Sequence, residues 1–202
     1  GYDIVIIKGA AKEPVWIDIS DTEVHIHPAH DLWGLDTYAT EDAVREKVLE
    51  LYGEKCGPVV IGPAAENLVR FSVIENDYWR SAGRTGTGAV LGSKKVKALA
   101  FRGQARRKIA YPELLKDFTK SITARSKEDK GVQGYKKIGT TGLVDLLNEV
   151  GAFPSRYWQR GRVEHRDGIN SVALHTRCDV KPKACAKCLM ACGRLSTVKD
   201  GP

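Results

Sequence analysis

The chain has 202 residues, 42% of them apolar and 28% charged. That balance excludes an intrinsically disordered segment, and no apolar run approaches the roughly 18 to 20 residues that a membrane-spanning helix needs. A net charge of +7 suits an anionic partner, but the basic residues are spread along the chain without the aromatic interleaving that stacks bases.

The length allows one large domain or two small ones. The opening residues, GYDIVIIKGA, lack a starting Met and the basic start and long apolar stretch of a secretory leader. Because they enter directly on a strand-like segment, the chain is expected to be an internal piece of a longer protein. Asp3–Gly9 reads as an apolar strand. Val15–Ile19 and Glu23–His27 alternate with period two around a Ser20-Asp21-Thr22 turn. Thr40 is expected to cap a helix running through about Tyr52, with Ala43, Val44, Val48, Leu51 and Tyr52 as its apolar stripe and Gly53 as its stop. Pro58–Pro63, Leu68–Ile74 and Val96–Phe101 follow as three further strands. The character changes near Gly103. A basic connector leads to a helical stripe of Leu114, Leu115, Phe118 and Ile122. Thr140 or Thr141 then caps a second helix, closed by Gly151. Residues 151 to 180 read as irregular. These features predict an α+β fold with two parts, a β-rich domain over 1–104 and the start of a mostly helical domain over 105–202.

Arg80 to Lys95 reads RSAGRTGTGAVLGSKK. Gly83, Gly86, Gly88 and Gly92 could let backbone N–H groups approach an anion, and Arg80, Arg84, Lys94 and Lys95 could pair with phosphate. Neither familiar phosphate motif fits. Gly88 and Gly92 are one residue too close for a P-loop. Gly86-x-Gly88-x3-Gly92 is one residue too long for a dinucleotide fingerprint and reads as lacking its strand-turn-helix frame. The plainer alternative is a glycine-rich turn packed against a sheet.

There are five cysteines, Cys56, Cys178, Cys185, Cys188 and Cys192. An odd set clustered at one end is a poor disulfide framework and fits a reducing compartment, here the cytoplasm, and metal ligation. Cys185, Cys188 and Cys192 form a C-x2-C-x3-C run. On a helix they would share one face and could converge on one metal centre. Zinc sites more often combine two C-x2-C pairs, whereas iron–sulfur clusters often take three thiolates from one segment and a fourth from elsewhere. The spacing therefore favours iron–sulfur over zinc, with Cys178 as a local and Cys56 as a remote fourth candidate. His25 and His27 share a strand face and could hold a metal; the plainer reading is a polar strand face running into a turn at Pro28.

GYDIVIIKGAAKEPVWIDI, then IGPAAENLVRFSVIENDYWRSAGRTGTGAVLGSKKVKALAF, then CAKCLMACGR together resemble the tungsten-containing aldehyde ferredoxin oxidoreductase family, in its order and at about its spacing. The resemblance covers essentially the whole chain but only about a third of a family protein. It implies the later part of a β-rich pterin-binding domain followed by the start of the first helical domain. It implies that Arg80, Ser81, Gly83 and Arg84 line a pterin and its phosphate. The family more often has Ala where this chain has Ser81, so a backbone contact is expected there. It implies that Cys185, Cys188 and Cys192 ligate a 4Fe-4S cluster whose fourth cysteine lies downstream of Pro202, leaving Cys178 and Cys56 as bystanders. The expected cofactors are that cluster and a tungsten (or molybdenum) bis-pterin. The expected reaction is oxidation of an aldehyde to a carboxylic acid, with electrons leaving to ferredoxin or another electron-transfer protein. No catalytic residue is expected in this chain, and neither nucleic acid nor membrane is an expected partner; a homo-oligomer stays open. Two other classes compete: a cluster-carrying electron-transfer subunit without pterin, and a basic zinc-bearing nucleic-acid module.

Overall fold

The computed structural model describes residues 2–105 and 108–198. They form two compact units, Gly1–Lys108 and Ile109–Pro202, each treated by itself below. The elements are those of an α+β chain, with a mixed six-stranded sheet and helices.

The first unit contains β1 (Val15–Ile19), β2 (Val24–Pro28), α1 (Thr37–Tyr52), β3 (Gly57–Val60), α2 (Pro63–Glu66), β4 (Ile74–Asn76), β5 (Arg80–Ala82), α3 (Thr87–Ser93) and β6 (Val96–Phe101). The sheet order is β2-β1-β6-β3-β4-β5. Among the described residues of this sheet, β1 and β6 pair in parallel and the other ladders are antiparallel. Successive strand residues point to opposite faces, so β1 feeds two cores. Trp16 packs with Ala29, Leu32, Val44, Val48, Val60, Ala98 and Ala100 beneath α1. Ile17 and Ile19 pack with Ile61, Ala65, Leu91 and Val96 beneath α2 and α3.

Two buried ion pairs tie loops to this sheet. Asp18 is fully buried and accepts from Arg102 Nε at 2.9 Å and Nη2 at 3.0 Å. Glu54 reaches Arg102 Nη1 at 3.2 Å, and the Tyr52 ring lies 3.8 Å from the guanidinium carbon. Lys97, also fully buried, donates to Glu66 and to the Leu35 carbonyl, while both Glu66 oxygens accept from the Gly34 N–H at 3.0 Å.

Several expectations are corrected. Helix α1 starts earlier than expected, capped by Asp36, whose carboxylate accepts the Ala39 N–H at 2.8 Å. Thr40 lies one turn inside, its hydroxyl turned back onto the Asp36 carbonyl. Gly53 does stop the helix, at φ 66°. Asp3–Gly9 joins no ladder, and Leu68–Ile74 is turn and irregular backbone up to residue 73, with Leu68 at φ 57°; only Ile74 enters a strand.

The second unit contains α4 (Pro112–Glu128), α5 (Lys130–Ile138), a 3-10 turn Gly139–Gly142, α6 (Leu143–Glu149), a 3-10 turn Arg166–Gly168, α7 (Ser171–Arg177), β7 (Cys178–Lys183) and β8 (Gly193–Val198). Asp129 caps α5 through the Val132 N–H, and Asn170 caps α7 through the Ala173 N–H. Helices α5 and α7 fall where the sequence suggested none. Strands β7 and β8 form an antiparallel hairpin, from Cys178↔Val198 to Lys183↔Gly193. Arg194 of β8 donates from Nη2 to the carbonyls of Tyr135 (2.7 Å) and Lys136 (3.0 Å), satisfying the last turn of α5. Gly139, at φ 65°, gives it room, since a Cβ there would come within 2.5 Å of Arg194 Nε.

Candidate cofactor and metal centre

The glycine stretch does have a strand-turn-helix frame, contrary to expectation: β5, a turn over Gly83–Gly86, then α3. Its glycines have internal reasons. A Cβ on Gly86 would overlap the Arg70 carbonyl, one on Gly88 would meet the Val73 carbonyl oxygen at 2.5 Å, and one on Gly92 would overlap the Ala65 carbonyl. Gly83 lies over Val73, whose Cγ1 would be 2.8 Å from a Cβ. The N–H groups of Gly86 and Gly88 already donate to the carbonyls of Gly83 and Ser72, both at 3.2 Å. The spacing thus records close approach of α3 to the 65–73 segment. The packed-turn alternative accounts for Gly86, Gly88 and Gly92, and an anion is left to the arginines and the Ser81–Gly83 backbone.

Those arginines are available. Arg80 is half-buried on β5, an edge strand, and Arg84 is exposed on the turn. Neither guanidinium has an acceptor among the described residues. Arg80 lines a groove of about 550 Å³ with Val59, Ile74, Glu75, Trp79 and Ser81. The Ser81 hydroxyl is engaged, donating to Glu75 Oε1 at 2.5 Å. Glu75 Oε2 is buried without a hydrogen-bond partner. The groove therefore combines an apolar floor, a half-buried cation without an acceptor and an unpaired acceptor. That donor set fits a flat heterocycle bearing N–H groups and a phosphate.

The turn ahead of Arg80 carries a network that sequence reasoning missed. Glu41 of α1 is fully buried and bonds the Tyr78 N–H and the Arg45 side chain. The i,i+4 spacing of Glu41 and Arg45 was the available signal.

Cys185, Cys188 and Cys192 do not lie on a helix. They occupy the loop between β7 and β8 and are exposed. The loop turns tightly: the Cys188 N–H donates to the Cys185 carbonyl at 3.0 Å, and Lys187 and Ala191 adopt left-handed backbone. The helical-face arithmetic therefore does not apply, and no group of three Cys, His, Asp or Glu side chains among the described residues surrounds a single ion point. A cubane cluster, unlike one zinc ion, offers each thiolate its own iron corner, so three thiols spread along one loop fit it by chemistry. Cys56 is different. Burial pushes its thiol pKa up, against the lowering effect of Arg45, so thiolate formation is disfavoured.

The histidines are engaged elsewhere. His25 bonds Glu23 at 3.1 Å, while His27 bonds the Tyr52 hydroxyl at 3.2 Å and stacks on Trp16 with ring centroids 4.2 Å apart. Burial, reinforced by His25 and opposed by Asp18, lowers the His27 pKa. No helix among the described residues is long and apolar enough to cross a membrane.

The family description "Aldehyde ferredoxin oxidoreductase, N-terminal domain" fits residues 1–103, and "Aldehyde ferredoxin oxidoreductase, domains 2 & 3" fits residues 117–202. The chain belongs to the aldehyde ferredoxin oxidoreductase family, a family of oxidoreductases. It is similar to the tungsten-containing aldehyde ferredoxin oxidoreductase of Thermococcus kodakarensis, 36% identical over 208 residues, covering 100% of this chain and 34% of that protein. The Pyrococcus furiosus protein of the same name is 36% identical over 197 residues, 97% of this chain and 32% of that one. Another Pyrococcus furiosus relative, an "Aliphatic sulfonate oxidoreductase, WOR-like subunit", is 30% identical over 218 residues, 100% of this chain and 34% of that one. The chain thus spans about a third of the length of these relatives. Among solved structures the fold is similar to the active site complex BamBC of benzoyl coenzyme A reductase in complex with 1,5 dienoyl-CoA. The TM-score is 0.64 and the identity 21%, over 96% of this chain and 31% of that one.

Proposed function

We propose that this chain is part of an oxidoreductase that converts an aldehyde and water to a carboxylic acid, releasing two electrons and two protons. The carrying observation is Arg80, a half-buried guanidinium in a groove with no acceptor among the described residues, on a chain that belongs to this family. Arg80 and Arg84 would hold the phosphate of a tungsten (or molybdenum) bis-pterin, with Ser81 and Gly83 contributing backbone. Cys185, Cys188 and Cys192 would supply three thiolates to a 4Fe-4S cluster, and ferredoxin or a similar protein would receive the electrons. When bound, the metal-pterin supplies the two-electron redox chemistry and the cluster the one-electron relay. The chain's own part is binding and placement; no catalytic acid or base is assigned to it. The two units correspond in this reading to the pterin-binding domain and the start of the cluster-bearing domain.

Metal analysis of the native protein that carries this chain, purified without oxygen, tests the reading. Tungsten or molybdenum with about four irons per chain is the expected result. Iron alone would replace it with an electron-transfer subunit, and zinc alone with a zinc-bearing binding module.

A further inference from the structure

The turn joining β4 to β5 is held in an unfavourable conformation by α1. Asp77 and Tyr78 have φ of 48° and 64°, left-handed values that side-chain-bearing residues adopt only when their surroundings impose them. Four contacts from α1 and its first turn impose them here. Glu41 Oε1 accepts the Tyr78 N–H at 2.9 Å. Its other oxygen accepts from Arg45 Nη2 at 2.7 Å, and the Arg45 guanidinium lies over the Tyr78 ring at 4.8 Å. The Tyr78 hydroxyl donates to Asp42 at 2.5 Å. The Tyr38 ring stacks on Tyr78 with centroids 5.8 Å apart.

A fully buried carboxylate is retained only where its partners satisfy it, and both Glu41 oxygens are spent on this turn or on the arginine that covers it. Two residues beyond Tyr78 the chain enters β5 with Arg80, paired across the ladder with Asn76. Strand β5 is an edge strand with one neighbour, so the sheet alone fixes its start weakly. We propose that Glu41 is a positioning residue: by holding the Tyr78 turn it sets where Arg80 presents its guanidinium to the bound anionic group. The inference rests on the pterin-phosphate reading of Arg80 given above.

The test uses Glu41→Ala, Glu41→Gln, Tyr78→Ala and Arg80→Gln in the native protein that carries this chain. Tungsten (or molybdenum) and pterin retained through gel filtration are measured per chain, with iron content and melting midpoint alongside. Gln keeps an acceptor oxygen for the Tyr78 N–H, so Glu41→Gln should retain close to native cofactor. Glu41→Ala should lose roughly ten-fold of its retention at native iron content, about one hydrogen bond's worth of placement. Tyr78→Ala, which strips the Arg45 and Asp42 contacts without touching the buried carboxylate, should lose several-fold with its midpoint kept. If Arg80→Gln loses the cofactor while Tyr78→Ala or a folded Glu41→Ala keeps it, positioning by Glu41 is wrong and the role of Arg80 stands. Equal loss in Glu41→Gln and Glu41→Ala with a collapsed midpoint reduces Glu41 to a stability residue. Full retention in Arg80→Gln overturns the phosphate reading and this inference with it.

Discussion

Replacing Arg102 by Met should unlock the centre of the sheet. The side chain fills a similar volume but donates nothing, so Asp18 keeps its place at zero exposure with three bonds removed, those of 2.9, 3.2 and 3.0 Å. Stranding a buried charge in this way costs about 3–5 kcal/mol. Neutralising an ordinary carboxyl (pKa about 3.9) at pH 7 costs about 4 kcal/mol, which sets the ceiling. Loss of the Tyr52 stack and the Glu54 contact adds little, because Glu54 is 42% exposed and such pairs are screened. A loss of about 3–4 kcal/mol corresponds to amide exchange roughly several hundred-fold faster in β1 and β6, at about 1.4 kcal/mol per factor of ten. The assay is hydrogen exchange read by mass spectrometry on the native protein that carries this chain. Asp18→Leu with Arg102→Met should recover most of the loss, since a well-packed apolar pair often matches a buried ionic one. Acceleration below about ten-fold in the single variant, or no recovery in the double, would refute the assignment of Asp18 and Arg102 as an energetically coupled buried pair.

Glycine substitutions should divide by environment. Gly92→Ala drives a methyl into the Ala65 carbonyl and should cost about 1–3 kcal/mol, whereas Gly134→Ala, mid-α5 with nothing within 4 Å of its Cβ, should stabilise by about 0.5–1 kcal/mol; exchange in α3 and α5 reads both. Because the fold lowers the His27 pKa below its usual 6.5, protonation favours the unfolded state. Its stabilising contribution is complete above about pH 6.5 and is lost as pH falls through the lower folded value. Thermal melts of wild type should therefore fall more steeply below neutrality than those of His27→Phe, and parallel profiles would contradict this. In protein stripped of iron, iodoacetamide should label exposed Cys185 and Cys192 well before half-buried Cys56, whose thiol burial pushes up; peptide mapping gives the order.

Period-two alternation found β1 and β2, and β6 was legible as a further strand; β1 and β6 carry core residues, whereas β2 is mostly exposed and meets the core through His27 stacked on Trp16. Gly53 was readable as a helix stop because its left-handed backbone favours glycine. Asp36 was not readable as the cap: Asp36 and Thr40 both have capping side chains, and the choice depends on the loop that Lys97 and Glu66 hold in place from far along the chain. Leu68–Ile74 alternates as a strand should, but the segment is bent around the glycines of α3, a tertiary demand invisible at short range. Those glycines misled in the other direction. Their spacing looks like an anion loop, while their backbone donors are spent on neighbouring carbonyls. Arg80 and Arg84 stood out by charge alone, and neither has an acceptor among the described residues. The cysteine trio was plain in spacing but not in conformation. Its hairpin is anchored by Arg194 to the end of a helix whose own pattern, interrupted by Gly131 and Gly134, the sequence did not reveal.

The strand order has a consequence for biosynthesis. Strand β6 lies between β1 and β3, yet it is the last of the six to be translated. Until Phe101 has emerged, the β1–β2 hairpin and the β3–β4–β5 meander have no common partner, and each exposes a raw edge beside apolar faces meant for Ala98 and Ala100. A nascent chain paused within this window is a substrate for chaperones or for aggregation. Insertion of β6 then closes both ladders at once, so the sheet assembles from its flanks inward and a central strand acts as the final bolt.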